Sequence, residues 1–509
     1  VHGGLRYLQN FDLGLVREAL VERQLMVALA PHLVKPLKLV VPAFDGKRPD
    51  LLLGMALNMY DAMSITKAPV PLWRRSTRDD DELFTPFEEW SPERHRTIPG
   101  EEVCDLLPAL AGRNPTAGYL FYDCQTDDVR LVLTVLEEAG RFGTVNANRV
   151  EALELLDSNG RAEGVRARDL VSGTEFDLRA KNVINATGVW ADQIRPEELL
   201  DVAEVPVIKP SRGTHITFSY EDLPLDAGAI VPAGGGRRIF ALPWLGRSLI
   251  GTTDNDYEGD INEVQASDDD VDYLLDAVND FFGTSLRSSN ITGAYAGVRP
   301  LISTGDSKKS VDISRKEELY ETSNGMVTIT GGKLTTWRRM AKLAVDRLVE
   351  RSGKQAPCRT AEVPLGMAIG ADELDAETVA SHASREHLAS RYGFQAHEVV
   401  RIAAERQELA QPIEPGHPDL VAEAVYAARN EHAINVGDVL MRRTRLGLLA
   451  ARELTAEGAE GPRRVGEALA TEFGWSDAAQ AASVADFAAE AVRERICVDS
   501  PATEAQTAA

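Results

Sequence analysis

Apolar residues recur at helical spacing through Leu13, Val16, Leu20 and Val27, and the pattern stops ahead of Pro31. This predicts a helix following the tight turn Gly3-Gly4. Residues 50–63 (DLLLGMALNMYDAM) are apolar nearly all round, which fits a buried helix. The basic neighbours Lys47, Arg48, Lys67, Arg74 and Arg75 keep an interfacial membrane helix open as the alternative, and the acidic loop 79–82 tells against it. An aromatic strand at 118–122 leads through a polar turn into a helix carrying Leu131, Val135 and Leu136. Asp123, Asp127 and Asp128 lie in that turn, with helix capping the simpler role and ligand binding the other.

Strands are expected at 145–156, 164–169 and 175–178, the first two joined as a hairpin at the 157–160 turn. Residues 180–192 read as a buried strand ending in Ala186-Thr187-Gly188. From 205 to about 299 the pattern is mainly β, with a hairpin of 238–243 and 248–253 and one helix at 268–282. Residues 327–330 form a short buried strand. Gly331 and Gly332 follow, and then Leu334, Trp337, Met340, Ala341, Ala344, Val345 and Leu348 fall at helical spacing. Beyond Pro357 the chain becomes rich in Ala and Glu, with five or six helices expected between 374 and 494 and a frayed tail at 499–509.

A chain of 509 residues is long enough for two or three domains. Its 79 acidic and 55 basic residues give a formal charge of −24, which excludes a general nucleic-acid binder. An anionic ligand must then be held by local arginines working against the global field. Four scattered cysteines, Cys104, Cys124, Cys358 and Cys497, show no metal-ligand spacing, so no metal site is expected and a reducing cytoplasm suits them.

The strand–glycine–helix unit at 327–348 is the chemically informative stretch. Glycines let backbone approach a ligand closely, and the N–H groups opening a helix favour negative charge. Lys333 sits in this turn. The alternative is an ordinary strand-to-helix connection. Small residues closing a strand at 186–188 offer a second place for a dinucleotide at a sheet's carboxyl edge. Arg6 and Tyr7, just after Gly3-Gly4, can face a cleft or serve as a surface arginine and a core tyrosine.

Together, HGGLRYL (2–8), YDCQTDD (122–128), NATGVWAD (185–192), RGTHI (212–216), GTTD (251–254), GVRPL (297–301) and GGKLTTW (331–337) resemble the FAD-dependent, aerobic-type glycerol-3-phosphate dehydrogenases. The match runs through the first 355 residues and more loosely beyond. The resemblance implies an α/β fold: an FAD-binding Rossmann-like domain of the amino-acid-oxidase type (roughly 1–40, 117–200 and 295–355) interleaved with a β-rich substrate domain (roughly 41–116 and 201–294). A C-terminal all-α domain would follow at 356–509. It implies oxidation of sn-glycerol 3-phosphate to dihydroxyacetone phosphate with electrons passed to a quinone, in the cytoplasm or peripherally on the inner face of the cell membrane, with a homodimer as an assembly to consider.

In the roles the resemblance implies, His215, Arg299 and Lys333 are catalytic, and Arg6, Tyr7 and Arg315 join them in holding substrate. His2, Gly3, Gly4, Leu5, Thr187, Gly188, Gly331, Gly332, Lys333, Leu334 and Thr335 line the cofactor. The chemistry agrees: hydride removal from an alcohol needs a flavin, the hydroxyl proton needs a base such as histidine, and a phosphate suits the arginine fork. His215 taken alone reads equally as a core histidine on a strand.

No G-x-G-x-x-G follows a strand anywhere in the chain, although the resemblance places one ahead of residue 2. The expectation is a chain whose phosphate-binding turn precedes Val1. The competing readings are an oxidase handing electrons to oxygen and a flavin-free, non-catalytic remnant.

Overall fold

The computed structural model describes residues 1–10, 12–47, 49–64, 92–194, 207–303 and 317–498. It is an α/β fold in which alternating apolar positions build one large sheet. Its strands, in hydrogen-bonded order, are Asn255–Asp256, Val207–Ser219, Arg247–Gly251, Arg237–Trp244, Gly228–Ala233, Lys35–Ala43, Ala117–Gln125 and Arg96–Pro99. A further strand, Ile291–Ser303, runs antiparallel along Val207–Ser219 and pairs His215 with Tyr295. Ile216, Phe218, Val231, Ile239, Ala241 and Ile250 are fully or almost fully buried on this sheet. The helix Asp268–Phe282 covers them with Val271, Leu274, Leu275, Val278 and Phe282. Its limits follow from local chemistry. Ser267 caps it by accepting from the Asp270 N–H, three aspartates fill its first turn, and Gly283 ends it in the left-handed region at φ 71°.

A smaller sheet joins Glu317–Glu321, Val327–Gly331 and Ile184–Asn185, the last two being parallel. The buried strand expected over 180–192 is therefore reduced to two residues. Its pairing is with Val327 and Thr328 on one side, and Ile184 is exposed. The hairpin Val150–Ser158/Arg161–Asp169 turns at Asn159 and Gly160, both left-handed, as two-residue hairpins require. It starts five residues later than the hydrophobic pattern suggested, and Val145 is 92% exposed.

The helix Leu51–Ser64 also departs from the buried reading. Gly54, Leu57, Tyr60 and Ser64 face the core, whereas Leu51, Leu52 and Met55 are 80%, 75% and 68% exposed. All-round apolarity here combines a core face and a bare face, a distinction that hydropathy does not carry. Among the described residues no helix is long and apolar enough to cross a membrane. The expected tail at 499–509 lies outside the described residues.

The Ala-rich region folds into eight α-helical segments between His382 and Arg493 among the described residues, more than expected. Short ones such as Leu446–Leu449 arise because Arg445 adopts a left-handed φ of 66° and breaks the run. Inside this region Arg391 donates to Asp419 (2.7 Å), to Glu423 (2.6 Å) and to the Thr444 carbonyl (2.8 Å). Tyr392 also donates to Glu423, and His387 lies 3.3 Å from Asp419. His387, Asp419 and Glu423 have the composition of a cation site, but the Arg391 guanidinium fills the place of the cation.

Burial acts to raise the Asp419 and Glu423 carboxyls, and Arg391 and His387 outweigh it, so both lie below the usual carboxylate range. Stability from this pair is present above about pH 4 and is lost as the pH falls through the depressed folded values. Replacing Arg391 by Met leaves two buried carboxylates nearly unpaired and should cost about 3–5 kcal/mol. Denaturant melts should show that loss at pH 7 and a much smaller one under acid conditions where the carboxyls are neutral; an unchanged midpoint at pH 7 would contradict the reading.

Candidate active site

Three groups of residues carry the candidate site, and the first two meet at the carboxyl end of the strand Val327–Gly331. The first is the Gly3-Gly4 turn. An added Cβ at Gly3 would lie 2.3 Å from both Leu20 and the Tyr60 hydroxyl, so only glycine fits. The Gly3 N–H donates to Asp123 Oδ1 at 3.1 Å, and Tyr60 donates to the same oxygen at 2.7 Å. Arg23, wholly buried on the helix Leu13–Leu29, pairs with that carboxylate. Asp123 thus bolts the turn to the sheet, while Asp127 caps the following helix by accepting from Val129. Gly4 has φ 80°, and an added Cβ there would strike Tyr7.

The second group follows the strand Val327–Gly331. Gly331 and Gly332 are both left-handed, at φ 75° and 71°. Lys333 Nζ lies 3.9 Å from the centre of the Tyr7 ring. Thr335 exchanges hydrogen bonds of 3.3 Å with the His2 backbone. The helix Trp337–Arg351 begins here, and no side chain caps its first turn. Beside it Gly188, at φ 63°, follows the parallel strand Ile184–Asn185, with its carbonyl accepting from Thr330 at 3.4 Å. Thr187 is tied back to Asn185 by bonds of 3.3 and 2.6 Å.

The third group sits on the large sheet. His215 faces Gly251 on one neighbouring strand and Tyr295 on the other. An added Cβ at Gly251 would lie 2.2 Å from the imidazole, and the Tyr295 ring stacks on it at 4.9 Å and 7°. Arg299, on the strand of Tyr295, crosses Gly213, where an added Cβ would fall 2.3 Å from Nη2. Its guanidinium donates to Thr252 Oγ1 (2.9 Å) and the Thr253 carbonyl (3.3 Å), and lies 3.6 Å from Asp254. Two glycines are therefore slots, one for an imidazole and one for a guanidinium. Burial first, and Arg299 second, push the His215 pKa down to about 3, so the ring is neutral.

Residues 1–347 match the family described as FAD dependent oxidoreductase, and 358–480 match the C-terminal domain of alpha-glycerophosphate oxidase. Glycerol-3-phosphate dehydrogenase 2 of Mycobacterium tuberculosis is 34% identical over 507 residues, covering 97% of this chain and 80% of its own. The chain belongs to the FAD-dependent glycerol-3-phosphate dehydrogenase family. A mitochondrial glycerol-3-phosphate dehydrogenase of Arabidopsis thaliana is 33% identical, over 94% of this chain and 77% of its own length. In fold, the chain is similar to the glycerol-3-phosphate dehydrogenase of Bacillus halodurans complexed with FAD, with TM-score 0.72 and 24% identity over 93% of this chain and 84% of that one.

As a member of this dehydrogenase family the protein is an oxidoreductase with FAD as cofactor, and its own residues fit the group. Gly188 and Gly331 turn the backbone away at the ends of adjacent parallel strands, the usual crevice for a dinucleotide. A Cβ at Gly188 would meet no atom within 4 Å, so open space lies over that turn. The uncapped helix start at Trp337 follows the Gly331-Gly332 turn of the neighbouring strand. Gly332 has a different reason to be glycine, because an added Cβ there would strike Met340 at 2.4 Å. Leu334 is 41% exposed at the same helix start, and Leu5 packs below the site among Leu8, Val16, Leu20 and Tyr60.

The backbone of Arg6 lies in the 3-10 turn Leu5–Asn10, one residue before Tyr7. Arg315 lies outside the described residues. Sequence reasoning missed Tyr295, the Asp123–Arg23–Tyr60 bracket and the two slots; the glycines of RGTHI and GTTD were the available signal for the slots. Gly251→Ala and Gly213→Ala should displace His215 and Arg299, because the added Cβ would lie 2.2 and 2.3 Å from the two side chains. Each variant of the flavin-loaded enzyme should lose at least ~10-fold in turnover or substrate affinity, the usual penalty of misplacing a reacting group. Crystal structures and steady-state kinetics of both variants check this; side chains unmoved with activity retained would refute it.

Proposed function

We propose that the protein oxidises sn-glycerol 3-phosphate to dihydroxyacetone phosphate at the face formed by His215, Arg299 and Lys333, and that the electrons pass to a membrane quinone. The observation that carries this reading is the pair of glycine slots holding a neutral imidazole and a guanidinium side by side on bonded strands. The names of the mycobacterial and plant relatives support the substrate.

Bound FAD supplies the two-electron acceptor for the carbinol hydride, which no side chain provides. Arg299 offers its planar fork to the phosphate, with Arg6, Tyr7 and Arg315 assigned to the same ligand. His215 takes the hydroxyl proton on its imidazole. A phosphate dianion beside Arg299 cancels the charge that helps depress the ring's pKa, so the base strengthens when substrate is in place. Lys333 and the first turn of Trp337–Arg351 favour negative charge at the neighbouring position.

A membrane acceptor suits the bare apolar face of Leu51–Ser64, and attachment there would be peripheral, on the inner side of the cell membrane. Leu52→Asp with Met55→Asp should shift the enzyme from membrane pellet to supernatant while dye-linked turnover stays within about two-fold, since exposed positions away from the core tolerate change. Retention in the pellet would remove this helix from consideration.

The substrate assignment is tested by kinetics with glycerol as the dephosphorylated control. Arg299→Lys keeps the charge and loses the fork, and should weaken apparent affinity for glycerol 3-phosphate by about 2–5 kcal/mol with flavin content unchanged. His215→Ala should instead lower turnover by about 10²–10⁴. Equal effects of Arg299→Lys on both substrates would show that Arg299 does not read the phosphate. Rapid peroxide formation in air without quinone would favour the oxidase instead.

A further inference from the structure

We infer that Tyr295 is a positioning residue for His215, and that the helical C-terminal domain acts on the site through it. The inference rests on His215 being the proton acceptor proposed above. Tyr295 is the one ring in contact with the imidazole among the described aromatic pairs, nearly parallel to it at 4.9 Å. With Gly251 on the opposite side, the imidazole is held between a ring and a bare backbone and has a single plane to occupy.

The far side of Tyr295 is closed by the C-terminal domain. Tyr295 packs on a cluster of Trp244, Leu249, Leu448 and Leu449, the last two from the helix Leu446–Leu449. The Leu448 carbonyl accepts from Thr217 Oγ1 at 2.8 Å, two residues along from His215, and the Leu449 carbonyl accepts from Arg247 at 2.9 Å. At Gly293, two residues before Tyr295, an added Cβ would lie 2.1 Å from the same Leu448 carbonyl. The contact is backbone on backbone, so the helical domain cannot shift without moving the strand that carries Tyr295 and Arg299.

The charged surroundings of the two rings overlap at one residue. Arg299 acts on both His215 and Tyr295 and is itself partnered by Asp254, whereas Asp128, Arg445 and Asp127 act on Tyr295. The stacked Tyr295 ring covers one face of the imidazole and keeps water from it.

The test uses the flavin-loaded enzyme and the variants Tyr295→Leu, Tyr295→Phe and Leu448→Ala. Tyr295→Leu should lower kcat at least ~10-fold with KM changed less than ~3-fold, as expected when a group acting in the transition state is misaligned. The lost ring admits water, so the imidazole pKa should rise and the acid limb of the kcat profile should move to higher pH. Tyr295→Phe retains the stacked ring and should recover most of the turnover and the original limb. Leu448→Ala, which leaves Tyr295 in place, should shift both readouts in the same direction by a smaller amount.

Histidine NMR titration of the same proteins, with the His215 signal assigned by its loss in His215→Ala, reads the ring independently of catalysis. An unmoved His215 titration in Tyr295→Leu, or equal loss of kcat in the Leu and Phe variants, would overturn the inference. If His215→Ala keeps full turnover, the proton-acceptor reading fails, and the NMR shift still decides whether Tyr295 positions the ring. Should Tyr295→Leu fail to fold, Leu448→Ala and Tyr295→Phe give the same contrast, and a Leu448→Ala enzyme with wild-type kcat, pH limb and titration would overturn the proposal.

Discussion

The antiparallel pairing of Val207–Ser219 with Ile291–Ser303 is the constraint on which the site depends. It places Arg212 opposite Val298, Gly213 opposite Gly297 and His215 opposite Tyr295. Side chains alternate along a strand, so a slip of Val207–Ser219 by one residue would send His215 to the face opposite Arg299. The long apolar face pressed on Asp268–Phe282 forbids that slip, because it would expose Ile216 and Phe218. Burial of the core thus fixes the register, and the register fixes the chemistry.

Electrostatics in this acidic protein are managed locally. Arg23, Arg130 and Arg391 are buried, and each meets a carboxylate at hydrogen-bond distance: Asp123, Glu431 and the Asp419–Glu423 pair. Such pairs are poor sources of net stability but costly to break, since the surviving partner is left charged in a dry interior. They serve as rivets. The first ties the Gly3-Gly4 turn to the sheet, the second joins the first half of the chain to the helical domain, and the third holds that domain together.

Much of this was legible in the sequence wherever a local signal sufficed. Residues 268–282 carried a cap, an acidic first turn and a terminal glycine, and the helix has those limits. The glycine turn after Val327 and its helix were visible in the periodicity and the Gly-Gly pair. What stayed hidden depends on partners distant in the chain. Tyr295 looks like any core tyrosine until pairing sets it against His215, and Gly251 looks like a turn glycine until the imidazole needs its space. Residues 184–185 read as part of a longer strand because hydropathy cannot count a strand's neighbours. Leu51–Ser64 was misjudged for a related reason: composition records how apolar a helix is and not which side meets the core.

The contact between the helical domain and the strand Ile291–Ser303 also sets an order of events during synthesis. The Ala294 N–H donates to the Ile496 carbonyl at 2.8 Å, and Arg452 donates to the Ile291 carbonyl at 2.9 Å. Arg452 and Ile496 leave the ribosome 161 and 202 residues after Ile291 and Ala294, respectively. A nascent chain long enough to include His215, Arg299 and Lys333 still presents that strand with its outer side uncovered, at a stage when unpaired strand edges and apolar faces are open to wrong partners. The proposed catalytic residues are translated well before the segments that complete their surroundings, so a product terminated between the two would carry those side chains without the wall that aligns them.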